Sequence, residues 1–136
     1  MFIIQGWGTD QRVWAQWLKD SGTCYSKNLP QFQVVEQEFL QCFSVKQKKL
    51  TILGWSLGSM LALELAHKHG DKIAQLVLIS PTAKFISSGD YEVGLPSGVL
   101  KNLQRKLSRN KEVTQQSFYS LMFSYSEDKF RHNFIK

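Results

Sequence analysis

Apolar residues along the chain alternate between short continuous runs and stretches with helical spacing. Four runs are typical of strands: Phe2 to Gln5, Thr23 to Asn28, Leu50 to Leu53 and Gln75 to Ser80. Three stretches repeat apolar residues every three or four positions and predict helices: Arg12 to Lys19, Val34 to Phe43 and Leu57 to His69, the last closed by Gly70. Strands that alternate with helices predict an α/β fold with a short parallel sheet covered on both faces by flanking helices.

The pattern changes after Pro81. Residues 82 to 98 hold much of the Gly, Ser and Pro, and Val99 to Lys136 then returns to helical spacing. Four of its apolar residues recur at i, i+3, i+4 and i+7, namely Phe118, Leu121, Met122 and Tyr125. We therefore expect an α/β core over residues 1–95 and an appended helical segment over residues 96–136.

Composition is that of a soluble globular protein, with 43% hydrophobic and 21% charged residues. No apolar run approaches the length needed to cross a bilayer, and the start of the chain has no basic leader. Cys24 and Cys42 are too few for a disulfide framework and lack metal-ligand spacing. These features predict a cytoplasmic protein in a reducing compartment, with no metal and no cofactor.

Positive charge is concentrated in the C-terminal segment. Residues 101–136 carry eight Lys and Arg against three Asp and Glu, a net of +5 out of +6 for the whole chain. Such a segment fits a solvated helix face, an acidic partner protein or nucleic acid, and the sequence pattern leaves these three open.

Ser56 lies between Gly54 and Gly58 at the point where a predicted strand runs into a predicted helix. A serine hydroxyl is a weak nucleophile, so an enzyme must hold it clear of the surface, beside a base and beside donors for an oxyanion. A sharp strand-to-helix turn does this, and side chains two residues away on either side would collide. The alternative is a glycine-flanked turn with a structural serine.

Two motifs resemble the α/β-hydrolase superfamily, "IIQGWGTDQRVW" and "LGWSLGSMLALELA". Within it, they are most similar to the carboxylesterases of biotin synthesis, which act on a pimeloyl-[acyl-carrier protein] methyl ester. The similarity continues through "KNLPQF" and "DKIAQLVLISP", and the helical stretch from Pro96 onward looks like the family's lid. The resemblance implies a partial α/β-hydrolase fold and ester hydrolysis.

The resemblance also implies roles for individual residues. Ser56 would be the nucleophile, the backbone amides of Trp7 and Leu57 would form the oxyanion hole, and Trp7 would offer an aromatic wall to the acyl chain. Trp7 has an alternative role as an ordinary core tryptophan. Three residues of the lid segment would line the acyl path: Phe118, Leu121 and Met122.

Two departures from the family pattern affect catalysis. Gln5 stands where the family usually has a histidine before Gly-Trp-Gly, and its neutral amide can still hydrogen-bond the loop. The family's catalytic Asp and His follow later strands, and this chain offers no match. His67 and His69 lie at the far end of the predicted helix from Ser56, while His132 would need a mobile tail. Asp71 and Asp90 have no better claim, so we expect the chain to be incomplete as a catalyst.

The expected activity is hydrolysis of an acyl methyl ester through an acyl-enzyme at Ser56. Two alternatives are a noncatalytic remnant that binds a carrier protein, and related chemistry such as a thioesterase or lyase. The resemblance implies a substrate that is bound to an acyl carrier protein or is a small ester. It favours an acidic acyl carrier protein as the partner of the basic segment, with no nucleic acid and no membrane.

The family's strand order would place the strands as Thr23 to Asn28, Phe2 to Gln5, Leu50 to Leu53 and Gln75 to Ser80. The first is polar enough for a sheet edge, whereas the last has the apolar character of a strand buried on both faces. An unpaired apolar edge invites association. We therefore expect the chain alone to be poorly soluble or oligomeric.

Overall fold

The computed structural model describes residues 1–14, 18, 22–26 and 31–127. The strands are β1 (Phe2–Ile4), β2 (Cys24–Tyr25), β3 (Leu50–Trp55) and β4 (Ile73–Ile79). The α-helices are α1 (Phe32–Lys46), α2 (Leu57–His69), α3 (Ser97–Arg109) and α4 (Lys111–Met122). Short 3₁₀ turns cover Gln11–Val13, Gly70–Lys72 and Tyr125–Glu127.

The four strands form one parallel sheet in the order β2-β1-β3-β4, which confirms the predicted order and fold class. Ile4 lies opposite Gly54, and Trp55 lies opposite Ile79. Because the carboxyl ends of parallel strands meet at one edge, the loops that follow β1, β3 and β4 lie together at this edge.

Side chains of β1 alternate between the two faces of the sheet. Phe2 and Ile4 belong to a buried cluster that α1 and α2 complete, whereas Ile3 packs on the other face with Trp14 and Leu53. Trp14 and Trp55 meet edge to face there, with ring centroids 5.9 Å apart. The larger cluster attaches both helices to the strand that leads into Ser56.

Two predicted elements fall partly outside the described residues. Of the helix predicted over Arg12 to Lys19, a 3₁₀ turn covers the described start at Gln11–Val13, and the Leu18 amide donates to the Trp14 carbonyl at 2.8 Å. Residues 15–17 and 19 lie outside the described residues, so the rest of this helix stays a prediction. Of the strand predicted over Thr23 to Asn28, the described part pairs with β1 at Cys24–Tyr25, and residues 27–28 lie outside the described residues.

Gly70 does not end α2 in a left-handed conformation. Its φ is −56°, and it begins the 3₁₀ turn over Gly70–Lys72. The left-handed residue that ends a helix is Gln47, with φ 49°, after α1. Helix α2 itself has the bounds that the apolar spacing predicts.

Strand β4 differs from its prediction as a strand buried on both faces. Leu76 and Leu78 pack on the side of the large cluster and Val77 on the other side, yet all three are only partly buried. Ile79 is exposed. In the described part of the chain β4 has one neighbouring strand, β3, so one edge of it is uncovered.

The two cysteines, from which we predicted no disulfide framework, are joined to each other. Cys24 in β2 and Cys42 in α1 form a disulfide across 18 positions, with their Cα atoms 6.5 Å apart. Spacing could not predict the pair, because the strand and the helix bring the two residues together only in the folded protein.

The chain divides into two compact units, residues 1–83 and 84–136. In the second unit α3 packs against α4, and the Asn110 side chain caps α4 by accepting from the Val113 amide at 3.1 Å. Within the described ranges, the structure has no helix with the length and apolar character of a membrane span.

Candidate active site

Ser56 adopts a strained backbone conformation between β3 and α2. Its φ of 54° and ψ of −119° are uncommon for a residue with a side chain. Its amide donates to the Ile79 carbonyl at 2.9 Å, and its own carbonyl accepts from the Ser59 amide at 2.8 Å. These bonds hold a half-buried serine at the amino end of α2, where the helix dipole favours negative charge.

The glycines on either side of Ser56 are required by close backbone contacts. A Cβ atom on Gly54 would lie 2.7 Å from the Gly58 carbonyl oxygen, and one on Gly58 would lie 2.6 Å from the Gln5 carbonyl oxygen. Real Cβ atoms essentially never come so close to backbone atoms. The sequence predicts that side chains two residues before and two residues after Ser56 would collide with their surroundings. These distances confirm that prediction.

Ser59 supports the same turn and was not singled out by the sequence. It is fully buried, and its Oγ lies 2.8 Å from the Gly54 carbonyl oxygen and 3.1 Å from that of Ile79. This hydroxyl connects α2 to the ends of β3 and β4. Its position three residues after Ser56 carries no sequence signal, because its partners come from two separate strands.

The glycine loop after β1 lies directly against Ser56. A Cβ atom on Gly6 would be 3.5 Å from the Cβ of Ser56. Gly8 has φ 76°, and Thr9 closes the turn by donating its Oγ1 to the Gly6 carbonyl at 2.8 Å. Trp7 is half-buried within this turn, and Leu57 is the first residue of α2. The structure thus brings Ser56 and the Gly6–Trp7 segment together.

Gln5 is buried, with 5% of its surface exposed, and bonds away from the glycine loop. Its Nε2 donates to the Ser26 carbonyl at 3.0 Å, while its Oε1 has no hydrogen-bond partner in the described structure. Ser26 in turn donates its Oγ to Glu38 of α1 at 2.8 Å. The residue that replaces the family histidine therefore connects the loop to β2 and α1.

A cavity of about 340 Å³ opens beside this loop, at the carboxyl ends of β1 and β2. The described residues that line it each carry a polar group: Gln5, Asp10, Gln11, Arg12, Tyr25 and Ser26. The Arg12 guanidinium donates to Asp10 at 2.8 Å and holds the pKa of that carboxyl below its usual value. Because each charge neutralises the other, the pair adds polarity to the cavity without net charge.

The described histidines lie at the end of α2 away from Ser56. His69 places its Nε2 2.7 Å from Glu36 Oε1 and its ring 5.9 Å from that of Phe39. His67 is exposed near the same carboxyl end of α2, which lies roughly 15 to 20 Å along the helix from Ser56 at 1.5 Å per residue. Asp71 pairs with Lys72 and Asp90 with Lys84. His132 lies outside the described residues.

The predicted acyl-path residues lie on α4 in the second unit. Phe118 and Met122 are half-buried, and the Phe118 ring lies 6.4 Å from that of Tyr119. Leu121 is 86% exposed. The neighbouring cations of the second unit are all exposed: Lys101, Arg105, Lys106, Arg109 and Lys111.

Residues 33–130 match a family model described as the alpha/beta hydrolase fold. Among curated proteins, the pimeloyl-[acyl-carrier protein] methyl ester esterase of Nitrosomonas europaea is 32% identical over 83 residues, which are 61% of this chain and 33% of that protein. The enzyme of the same name from Vibrio cholerae is 27% identical over 132 residues, which are 89% of this chain and 51% of that protein.

Among solved structures, an esterase from Exiguobacterium antarcticum matches with a TM-score of 0.72 at 16% identity, covering 99% of this chain and 60% of that chain. This likeness concerns the fold. The chain spans between one third and about three fifths of the length of these three proteins.

Proposed function

Since the chain belongs to the α/β-hydrolase fold family, we propose that it is the nucleophile-bearing part of a serine carboxylesterase. The observation that carries this proposal is the backbone of Ser56, held at φ 54° at the start of α2 with the glycine loop against it. A strained serine between strand and helix supports acyl transfer, because in this fold such a turn presents the hydroxyl beside backbone donors.

The proposed reaction begins with attack of Ser56 Oγ on the ester carbonyl carbon, as a general base takes the hydroxyl proton. The amides of Leu57 and Trp7 would donate to the resulting oxyanion. The C–O bond then breaks, the alcohol leaves with a proton, and water hydrolyses the acyl-enzyme to release the acid and restore the serine. No described histidine lies at Ser56, so we propose that the base comes from outside the described residues.

We propose an acyl methyl ester on an acyl carrier protein as the substrate, and biotin synthesis as its context. The relatives from N. europaea and V. cholerae bear the corresponding name. The cavity at the carboxyl ends of β1 and β2 supports binding of a substrate beside the glycine loop, since ligands of parallel sheets bind at this edge. A carrier-bound substrate also supports the proposed cytoplasmic location.

The segment over residues 96–136 is our proposed lid. In α3 the half-buried residues Leu100, Leu103 and Leu107 lie on one helical face, and the exposed cations lie largely on the opposite face. An acidic carrier protein would dock on this cationic face, because opposite charges steer the encounter. Phe118, Leu121 and Met122, with the aromatic wall at Trp7, would contact the acyl chain.

The test is hydrolysis of a carrier-bound pimeloyl methyl ester by two proteins. One is the chain alone, and the other is the chain followed by the remainder of the V. cholerae relative, from which we expect the acid and base residues to come. We expect turnover by the extended protein, loss of turnover in its Ser56→Ala variant, and slow reaction of the chain alone, because base assistance contributes roughly 10² to 10⁴ in rate.

A carrier-binding module without catalysis is the second candidate. It is favoured by one observation, that both histidines of α2 lie at the end of the helix away from Ser56. Carrier binding without turnover in either protein would support this candidate. Release of a thiol from a thioester in preference to methanol from the methyl ester would instead identify a thioesterase.

A further inference from the structure

Strand β2 is attached to the rest of the first unit by two parallel connections to α1. One is the disulfide between Cys24 and Cys42, and the other is the bond from Ser26 Oγ to Glu38 Oε2. Cys24 begins β2 and Ser26 follows its last residue directly, while Glu38 and Cys42 are four apart on α1 and so lie on one face of that helix. The two connections therefore lie side by side.

These connections matter because β2 is short. Among the described residues, two of its positions pair with β1: Cys24 lies opposite Phe2, and Tyr25 lies opposite Ile3. The amide of Cys24 donates to Met1 at 2.9 Å and that of Ser26 to Ile3 at 2.8 Å. A two-residue edge strand has little stability of its own, so its position depends on what fastens it to the core.

The segment at the end of β2 also positions Gln5, the residue before the glycine loop. Gln5 precedes Gly6 directly, and its buried Nε2 donates to the carbonyl of Ser26. A displacement of Ser26 would leave that buried amide without an acceptor, which is costly. The position of the loop beside Ser56 is thus linked through Gln5 and Ser26 to the Cys24–Cys42 pair.

We propose that Cys24 and Cys42 form a redox-controlled pair that positions the Gly6–Gly8 loop. The oxidised pair holds β2, Gln5 and the loop in the arrangement of the structure; the reduced pair releases them. The consequence for turnover rests on the proposed function, whereas the consequence for loop order does not. Both cysteines are positioning residues, since neither lies at Ser56.

The switching chemistry is thiol–disulfide exchange with a low-molecular-weight thiol. A thiolate attacks Sγ of Cys24, which is half-buried, whereas Cys42 is only 5% exposed. The protein S–S bond breaks, its electron pair leaves on Cys42 Sγ, and a mixed disulfide forms at Cys24. A second thiol attacks the small-molecule sulfur and releases Cys24. The protein disulfide and two thiols thus give a protein dithiol and one small disulfide, with the protein reduced and the thiol oxidised.

The test compares the full chain equilibrated with reduced glutathione and with glutathione disulfide. Alkylation and mass spectrometry count the free thiols, hydrogen exchange reports on the amides of residues 6–8, and a fluorophosphonate probe measures the reactivity of Ser56. We expect two free thiols, faster exchange at residues 6–8 and a Tm lower by roughly 10 °C in the reduced form. Labelling of Ser56 should slow about tenfold, less than the ~10² or more that loss of one oxyanion donor costs.

Three variants make the assignment specific. Cys24→Ser changes a half-buried position and should match the reduced chain under both conditions, while Cys42→Ala is a second disulfide-free variant should the first fold poorly. Ser26→Ala removes the bond to Glu38 but keeps the disulfide and the Ser26 carbonyl, so it should retain its redox response.

The outcomes separate the two proposals. A lower Tm on reduction without a change in exchange at residues 6–8 would show a simple stabilising crosslink and overturn the positioning role. Two free thiols under both conditions would refute the disulfide switch. Redox-dependent exchange with no labelling of Ser56 in either state, in the chain alone and in the extended protein alike, would support the positioning role of the cysteines and count against the proposed esterase.

Discussion

A Cβ atom added to Gly58 would lie 2.2 Å from the carbonyl oxygen of Ile4, so α2 and β1 are in direct backbone contact at this point. We expect Gly58→Ala to lower the free energy of unfolding by about 2 kcal/mol or more, because the atoms it meets belong to a backbone that cannot rotate away. Chemical denaturation measures the loss.

Gly98→Ala is the matched control. Gly98 lies in the first turn of α3, and an added Cβ atom would meet nothing within 4 Å. Alanine there should raise stability by up to about 1 kcal/mol, since it has the higher helix propensity. Equal losses in the two variants would show that the contact at Ile4 is not what requires glycine.

The backbone strain at Ser56 predicts that function and stability oppose each other there. With φ 54°, Ser56→Gly should be more stable than Ser56→Ala by about 1 kcal/mol, because glycine adopts this conformation without a Cβ penalty. Both variants should lose fluorophosphonate labelling. Denaturation curves and gel fluorescence measure the two effects.

Ser80→Gly is the control that distinguishes relief of backbone strain from loss of the Ser56 hydroxyl. It also has a positive φ, 48°, after β4. Ser80→Gly should raise the free energy of unfolding relative to wild type, because glycine relieves the same kind of strain, and it should keep the labelling of Ser56. Persistent labelling in Ser56→Ala would remove the nucleophile assignment, whatever the stabilities.

The exposed cations of α3 predict selective effects on carrier-bound substrate. Reversing Arg105 and Arg109 to Glu should raise KM for a carrier-bound ester and leave a small ester unchanged in the extended protein. The difference should shrink in high salt, because exposed charges are screened within roughly 10 Å at 0.1 M salt. Steady-state kinetics at two salt concentrations measure it, and equal losses on both esters would indicate damage to folding instead.

Asp10 predicts a small dependence of stability on pH. The side-chain hydrogen bond from Arg12 is the main cause of its lowered pKa. Because the folded pKa lies below the unfolded value of about 3.9, the stabilisation is present above that pH and is lost as pH falls through the folded pKa. The pair is about half exposed, so we expect less than about 1 kcal/mol.

The measurement compares wild type with Asp10→Asn, which keeps a residue able to cap the following turn. The variant should be less stable at pH 7 and equal to wild type near pH 2. A difference that does not change with pH would assign the effect to capping rather than to the charge.

The sequence was sufficient for features that depend on near neighbours along the chain. Apolar spacing predicts the bounds of α2 to the residue, and the two glycines around Ser56 predict a strained turn, because the strand, the turn and the helix are continuous. The alternation of strands and helices predicts the parallel sheet, because a helix between two strands returns the chain to the same end of the sheet. The family resemblance, carried by the two glycine motifs, implies the strand order that the sheet has.

Only the tertiary structure decided what depends on contacts between distant segments. The disulfide of Cys24 with Cys42, the bond from Gln5 to Ser26 and the buried hydroxyl of Ser59 each join different elements. Strand β2 is short and β4 is partly exposed because pairing and burial depend on the neighbours that the fold provides. Local periodicity indicates which secondary structure a segment prefers. The contacts between distant segments exist only once the sheet brings its strands and helices together.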